Sequence, residues 1–160
     1  MKYPLFFSYT DLIDVAGVRV TVEARGRCLM ALRDEEWWIE GVEPGGLAAF
    51  GEIPQQALVE FRHTWFQVLE DIAHGKASVK DFEVEVAQMI GQLNEAADAE
   101  WTEARDQIRR GCEVEDPFMA MKRVEADVRA SHRIRAYPDF TLSTSKMDEM
   151  IIPATHHKAA

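Results

Sequence analysis

Residues 18 to 24, VRVTVEA, alternate apolar and polar positions, which places Val18, Val20, Val22 and Ala24 on one face of a half-buried strand and Arg19, Thr21 and Glu23 on the other. Arg25-Gly26 reads as a turn, followed by a second strand through CLMALR, a turn at Asp34-Glu35 and a third strand WWIEGV from Trp37 to Val42. A further strand near Leu5 to Tyr9 is expected to precede or extend this antiparallel meander. Pro44-Gly45-Gly46 ends it, since proline removes a ladder donor and glycine permits positive φ in a tight loop. A loop or short edge strand from Leu47 to Phe50 follows.

From Pro54 the period lengthens. Ala57, Leu58, Phe61, Trp65, Val68, Leu69 and Ile72 recur every three to four residues, which predicts an amphipathic helix of about 20 residues and about 30 Å, started by Pro54 and stopped at Gly75. Ser78 is placed to cap a second helix with Asp81 three residues on. Its stripe of Val79, Phe82, Val86, Met89, Ile90 and Leu93 runs on through Ala97, Trp101, Ala104 and Ile108, with a break expected near Asn94 to Asp98 and an end at Arg109-Arg110-Gly111. Asp116-Pro117 would open a short helix bearing Phe118, Met121, Val124 and Val128; after Ser131 only extended fragments are expected.

The reading is therefore α+β: a three- to four-stranded antiparallel sheet packed with an amphipathic helix over 1–75, a helical extension over 76–111 and an irregular C-terminal tail over 112–160. The 160 residues and 47% hydrophobic content suffice for one core but not for a second full enzyme domain. No apolar run approaches the roughly 18 to 20 residues that cross a bilayer, and MKYPLFFSYT lacks a signal-peptide pattern, so no membrane partner and a cytoplasmic location are expected. Cys28 and Cys112 match no redox or metal spacing and are expected to be reduced structural thiols. The formal charge of −10 repels phosphates and suits a basic partner; residues 1 to 111 carry −9 of it.

The segment Val42-Glu43-Pro44-Gly45-Gly46, with Gly51-Glu52-Ile53-Pro54 and a helix opening QQALVEF, resembles the HicB-type antitoxins over about residues 18 to 74. That family has a partial ribonuclease-H-like fold of three strands, a helix and a further strand, with a Pro-Gly turn after the third strand. Gly46 stands where the family often has cysteine, and no ribbon-helix-helix or helix-turn-helix is legible after residue 75. The resemblance implies a type II antitoxin that binds and neutralises a cognate toxin, a small basic ribonuclease of the HicA type, by covering its active surface, and that forms a homo-oligomer. Two alternatives are a DNA-binding autoregulator of its own operon, which would make operator DNA a partner, and a non-catalytic scaffold subunit of a larger assembly.

No catalytic residue, metal site or cofactor is expected. Ribonuclease H chemistry needs clustered carboxylates around two metal ions, whereas Asp11, Asp14, Asp34, Glu35, Glu36 and Glu43 fall mostly at expected turns. His63, His74, His132 and His156-His157 show no zinc spacing, and there is no nucleophile elbow, Walker A or G-x-G-x-x-G loop. Partner contacts are expected instead from Trp37 and Trp38, which must point to opposite faces of their strand. In the tail they are expected from Phe118, Met121, Arg133, Arg135, Met147, Met150, Ile151 and Ile152. Arg133 and Arg135 belong to a basic stretch with Lys122, Arg123 and Arg129, diluted by Glu125 and Asp127; a nucleic-acid arm is one reading, and docking on an acidic body or pairing across a protein interface costs fewer assumptions at a net charge of −10.

Overall fold

The computed structural model describes residues 2–112 and 129–137, which form an α+β fold with an antiparallel sheet and three helices. β1 (Lys2–Val15) and β2 (Val18–Arg33) make one long hairpin in unbroken register from Lys2 opposite Ala31 to Val15 opposite Val18. β3 (Glu36–Glu43) pairs with the second half of β2, and β4 (Ala48–Gly51) forms the edge beyond β3. Both hairpins turn on two residues of positive φ, Ala16-Gly17 (+49°, +80°) and Asp34-Glu35 (+50°, +68°), the geometry that matches the twist of antiparallel strands.

Arg25-Gly26 is not a turn. The chain continues straight through it, and the strands expected over 18–24 and 28–33 are one strand. Gly26 sits opposite Phe7, and a Cβ there would lie 2.4 Å from the Phe7 ring and 2.5 Å from the Glu43 carbonyl. The glycine therefore makes room for an aromatic lid and a neighbouring strand rather than reversing the chain. A β-bulge at Arg27/Cys28 lies beside it, where the pairing with β3 begins. The N-terminal strand is correspondingly longer than Leu5 to Tyr9, because β2 offers it a partner along its whole length.

Strand alternation sorts the sheet into two faces. Tyr3, Leu5, Phe7, Tyr9, Ile13 and Val15 of β1 share one with Val20, Val22, Ala24, Cys28 and Met30 of β2, and all are buried. This face receives α1 (Pro54–His74), with Pro54 in its first turn, through Ala57, Phe61, Trp65 and Leu69. Phe61 and Trp65 meet Phe7 with ring centroids 5.6 and 5.7 Å apart. α2 (Val79–Ile90) adds Phe82, Val86 and Ile90 to the same core; Ser78 caps it by accepting from the Asp81 amide.

α3 (Glu95–Arg109), capped by Asn94, lies on the opposite face. There Ala97 and Trp101 cover Phe6, Leu29 and Val42. The Pro44-Gly45-Gly46 loop docks onto the α2–α3 connection: the Gly45 amide donates to the Gln92 carbonyl at 2.8 Å and the Asn94 amide to the Val42 carbonyl at 2.9 Å. Neither Gly45 nor Gly46 has positive φ. Close approach is what Gly45 serves, since its Cβ would fall 2.5 Å from the Asn94 nitrogen.

Within the tail, Ser131–Tyr137 forms β5, a regular strand where only extended fragments were expected. It pairs antiparallel with Arg19 to Arg25, the half of β2 that β3 leaves open, and Ile134 packs against the main core. Seven residues of strand are stabilised here by a vacant sheet edge, which no local pattern announces. Among the described residues no helix is long and apolar enough to cross a membrane.

Candidate partner-binding surface

Most ionisable side chains that reach the interior are consumed in structural contacts. Asp11 is in mid-strand, 5% exposed, rather than at a turn. Its carboxylate accepts two hydrogen bonds from the Arg62 guanidinium, at 2.6 and 3.1 Å, and a third from the Trp65 indole at 2.9 Å. Arg62 also lies over the Tyr9 ring, 4.5 Å from its centroid. A buried carboxylate survives because its partners replace water, and the fork of Arg62 does so bidentately. The result is a clamp between β1 and α1. Burial pushes the Tyr9 phenol well above its ordinary range, and the Cys28 thiol and Asp11 carboxylate push the same way while Arg62 opposes them.

A second polar cluster fastens α3. Arg27 donates to Asp98 at 2.6 Å and to Glu43 at 3.2 Å, and its guanidinium stands 5.1 Å from the Trp101 ring centroid. The Trp101 indole donates to the Leu5 carbonyl. Other acids considered for chemistry are spread apart: Asp34 and Glu35 form the hairpin turn, Glu36 begins β3, and Asp14 pairs with Arg19. Among the described residues no group of three or more His, Cys, Asp or Glu side chains is arranged to hold a metal ion.

Cys28 is fully buried and its thiol is pushed up by desolvation, whereas Cys112 is exposed. We expect one thiol to react promptly with a disulfide reagent at pH 8 in the native state and two in denaturant; two prompt equivalents would contradict the burial of Cys28. Because folding raises the thiol and phenol above their unfolded values, both stay protonated in the native state. Their contribution is fully present below about pH 8.5 and falls away as the unfolded chain's thiol and then phenol ionise, so stability is expected to decline into the alkaline range.

The tryptophan pair divides as the alternation requires. Trp37 turns to the main core, half-buried beside Tyr3 with ring centroids 5.9 Å apart. Trp38 points to the opposite face and stacks on Phe50 of β4, 5.2 Å away with the rings 30° from parallel. Phe50 is 53% exposed, and Ile53, just before α1, is 55% exposed. Trp38, itself half-buried, and Phe50 form an apolar ridge at the β4 edge, flanked on the same face of β3 by Glu36 and by Glu40, which pairs with Arg33. Phe50 lay in a segment read as loop or edge strand; its partnership with Trp38 depends on the β3–β4 register. Arg133 and Arg135 are exposed on β5, far along the sheet from this ridge in strand register. Phe118, Met121, Met147, Met150, Ile151 and Ile152 lie outside the described residues.

Comparison with protein-family models, with curated proteins and with solved structures returns no match.

Proposed function

We propose that this chain is a non-catalytic binding protein, an antitoxin of the HicB-like kind in a type II toxin–antitoxin system, which neutralises a small basic ribonuclease by steric occlusion. The observation that carries the reading is the Trp38–Phe50 stack at the β4 edge, in which Phe50 is exposed and Trp38 half-buried. Aromatic rings with few rotatable bonds bury large area at low entropic cost, and Glu36, which has no ion pair among the described residues, favours a cationic partner, while Glu40 is held by Arg33. The net charge of −10 acts in the same direction at longer range. The order of strands followed by an amphipathic helix, on which the resemblance to the HicB family rests, is consistent with this role.

The test is co-expression with the product of the adjacent reading frame, scoring growth rescue and co-purification. Wild-type chain is expected to rescue growth and to co-purify with its neighbour. The W38A/F50A variant is expected to fold, because both side chains lie outside the two buried clusters, and to bind at least about tenfold more weakly, as removal of a central aromatic anchor does. A neighbour that is harmless alone, or full rescue by the double variant, would sink the proposal.

A further inference from the structure

Six arginines lie in strands, and their pairing is uneven. Arg19, Arg27 and Arg33 on β2 are held by carboxylates: Asp14, Asp98 with Glu43, and Glu40. Arg25 on β2 and Arg133 and Arg135 on β5 are exposed and have no ion pair among the described residues. In a chain with 28 acidic against 18 basic residues, unpaired arginines on one sheet face are unexpected from composition alone.

All three point to the same side. In the β2–β5 ladder, Arg25 stands opposite Ser131, Glu23 opposite Arg133, Thr21 opposite Arg135 and Arg19 opposite Tyr137. Directly opposed residues share a face, and this is the face turned away from α1 and α2. Arg133 and Arg135 are therefore neighbours along one strand, about 7 Å apart at the backbone, with Arg25 on the adjacent strand. Tyr137, 38% exposed, ends the row, and Ser8 and Thr10 of β1 continue the polar surface beside Arg25 and Glu23.

We infer that this β2–β5 face is a binding strip for a single-stranded polynucleotide, with Arg25, Arg133 and Arg135 contacting successive phosphates. Guanidinium groups form bidentate charge-assisted hydrogen bonds with phosphate oxygens, and the phosphates of an extended strand repeat at a spacing comparable with that of alternate residues in a β-strand. The strip is only two to three strands wide. α3 packs over β1, β2 and β3 on the same face of the sheet, which narrows the strip toward β5 and favours a single strand over the broader backbone of a duplex. Glu23 within the row limits the strip to a few phosphates and hence to modest, salt-sensitive affinity. This surface is distinct from the Trp38–Phe50 ridge, and its role stands or falls independently of the antitoxin reading.

The experiment is a fluorescence-anisotropy titration of the full chain into labelled single-stranded oligouridylate, oligothymidylate and a duplex DNA of equal length. Saturable binding to a single strand is expected at 50 mM salt, weaker by about 20-fold at 200 mM, as release of counterions from about three phosphates requires. A preference between the two single strands identifies RNA or DNA as the source. R133Q/R135Q is expected to weaken binding at least tenfold. R25Q, on a different strand, should weaken it as well, which guards against misfolding of β5. R109Q/R110Q, at the exposed end of α3, should leave it unchanged. The inference is overturned by absence of saturable binding at 50 mM salt, by tighter binding to the duplex, by wild-type affinity in both R133Q/R135Q and R25Q, or by an equal loss in R109Q/R110Q.

Discussion

Replacing Asp11 with alanine is expected to destabilise the fold by about 3–5 kcal/mol, the usual cost of breaking a buried ion pair from one side. The substitution strands two donors at once. The Trp65 indole is completely buried and loses the carboxylate that accepts from it, while Arg62, with about a quarter of its side chain exposed, recovers water only in part. The reciprocal change, R62A, leaves a carboxylate whose side chain is 3% exposed with a single indole donor, and we expect a loss of similar size. R62K should not restore stability, because a single ammonium cannot reproduce the two-pronged contact at 2.6 and 3.1 Å. Urea unfolding of the two single variants and of D11A/R62A provides the check. The double variant should cost less than the sum of the singles, by about 1–3 kcal/mol, since each single change already destroys the shared interaction. Losses below 1 kcal/mol in both singles would show that β1 and α1 are held by apolar packing alone.

The second large effect is expected on the other face of the sheet. Trp101 is 3% exposed, meets Phe6 edge-on at 5.2 Å, donates to the Leu5 carbonyl at 3.2 Å, and lies beneath both Arg27 and Arg105, 5.1 and 5.4 Å from its ring centroid. W101A should cost about 3–5 kcal/mol, because the cluster of Phe6, Leu29, Val42 and Ala97 is small and cannot collapse into the space left. Hydrogen exchange should show where the loss falls: amides of α3 are expected to lose protection before those of α1, whose core of Phe61, Trp65 and Leu69 is untouched. W101F should be milder, retaining ring packing while giving up the hydrogen bond to Leu5. Trp101 and Asp11 share no partner, so W101A and D11A should be additive within about 0.5 kcal/mol. Uniform loss of protection across α1 and α3 would mean that the two faces unfold as one unit and that α3 has no separate stability.

Both clusters show why some of this protein is legible in one dimension and some is not. The helices are written locally. Pro54 and Gly75 bound α1, Ser78 caps α2, and most of the apolar stripe that identifies each helix is also the surface it buries; α2 nevertheless ends at Ile90, ahead of the break expected near Asn94 to Asp98, and leaves Leu93 exposed. Alternation in VRVTVEA likewise separates Val20, Val22 and Ala24 from Arg19, Thr21 and Glu23, and the opposite directions of Trp37 and Trp38 follow from strand geometry alone. Gly26 misleads because a glycine that admits an aromatic ring has the same letter as one that turns a chain. Asp11 misleads because its partners lie 51 and 54 residues away.

The candidate surfaces divide in the same way. That one of Trp37 and Trp38 faces away from the main core was recognisable, but that it is Trp38, and that it meets Phe50, required the register of β3 against β2 and β4. Arg133 and Arg135 were recognisable as a basic pair; that they would stand beside Arg25 required β5 to find the open half of β2, about 110 residues away. The sequence by itself determined the α+β class, the limits of α1, the alternation that gives each strand two faces and the acidic balance, because these depend on neighbours within a few residues and on composition. Only the tertiary structure decided which glycine packs and which turns, which carboxylate is buried, and which arginines remain unpaired. Those outcomes depend on residues brought together across the sheet, and a long-range contact leaves no periodic trace in the chain that makes it.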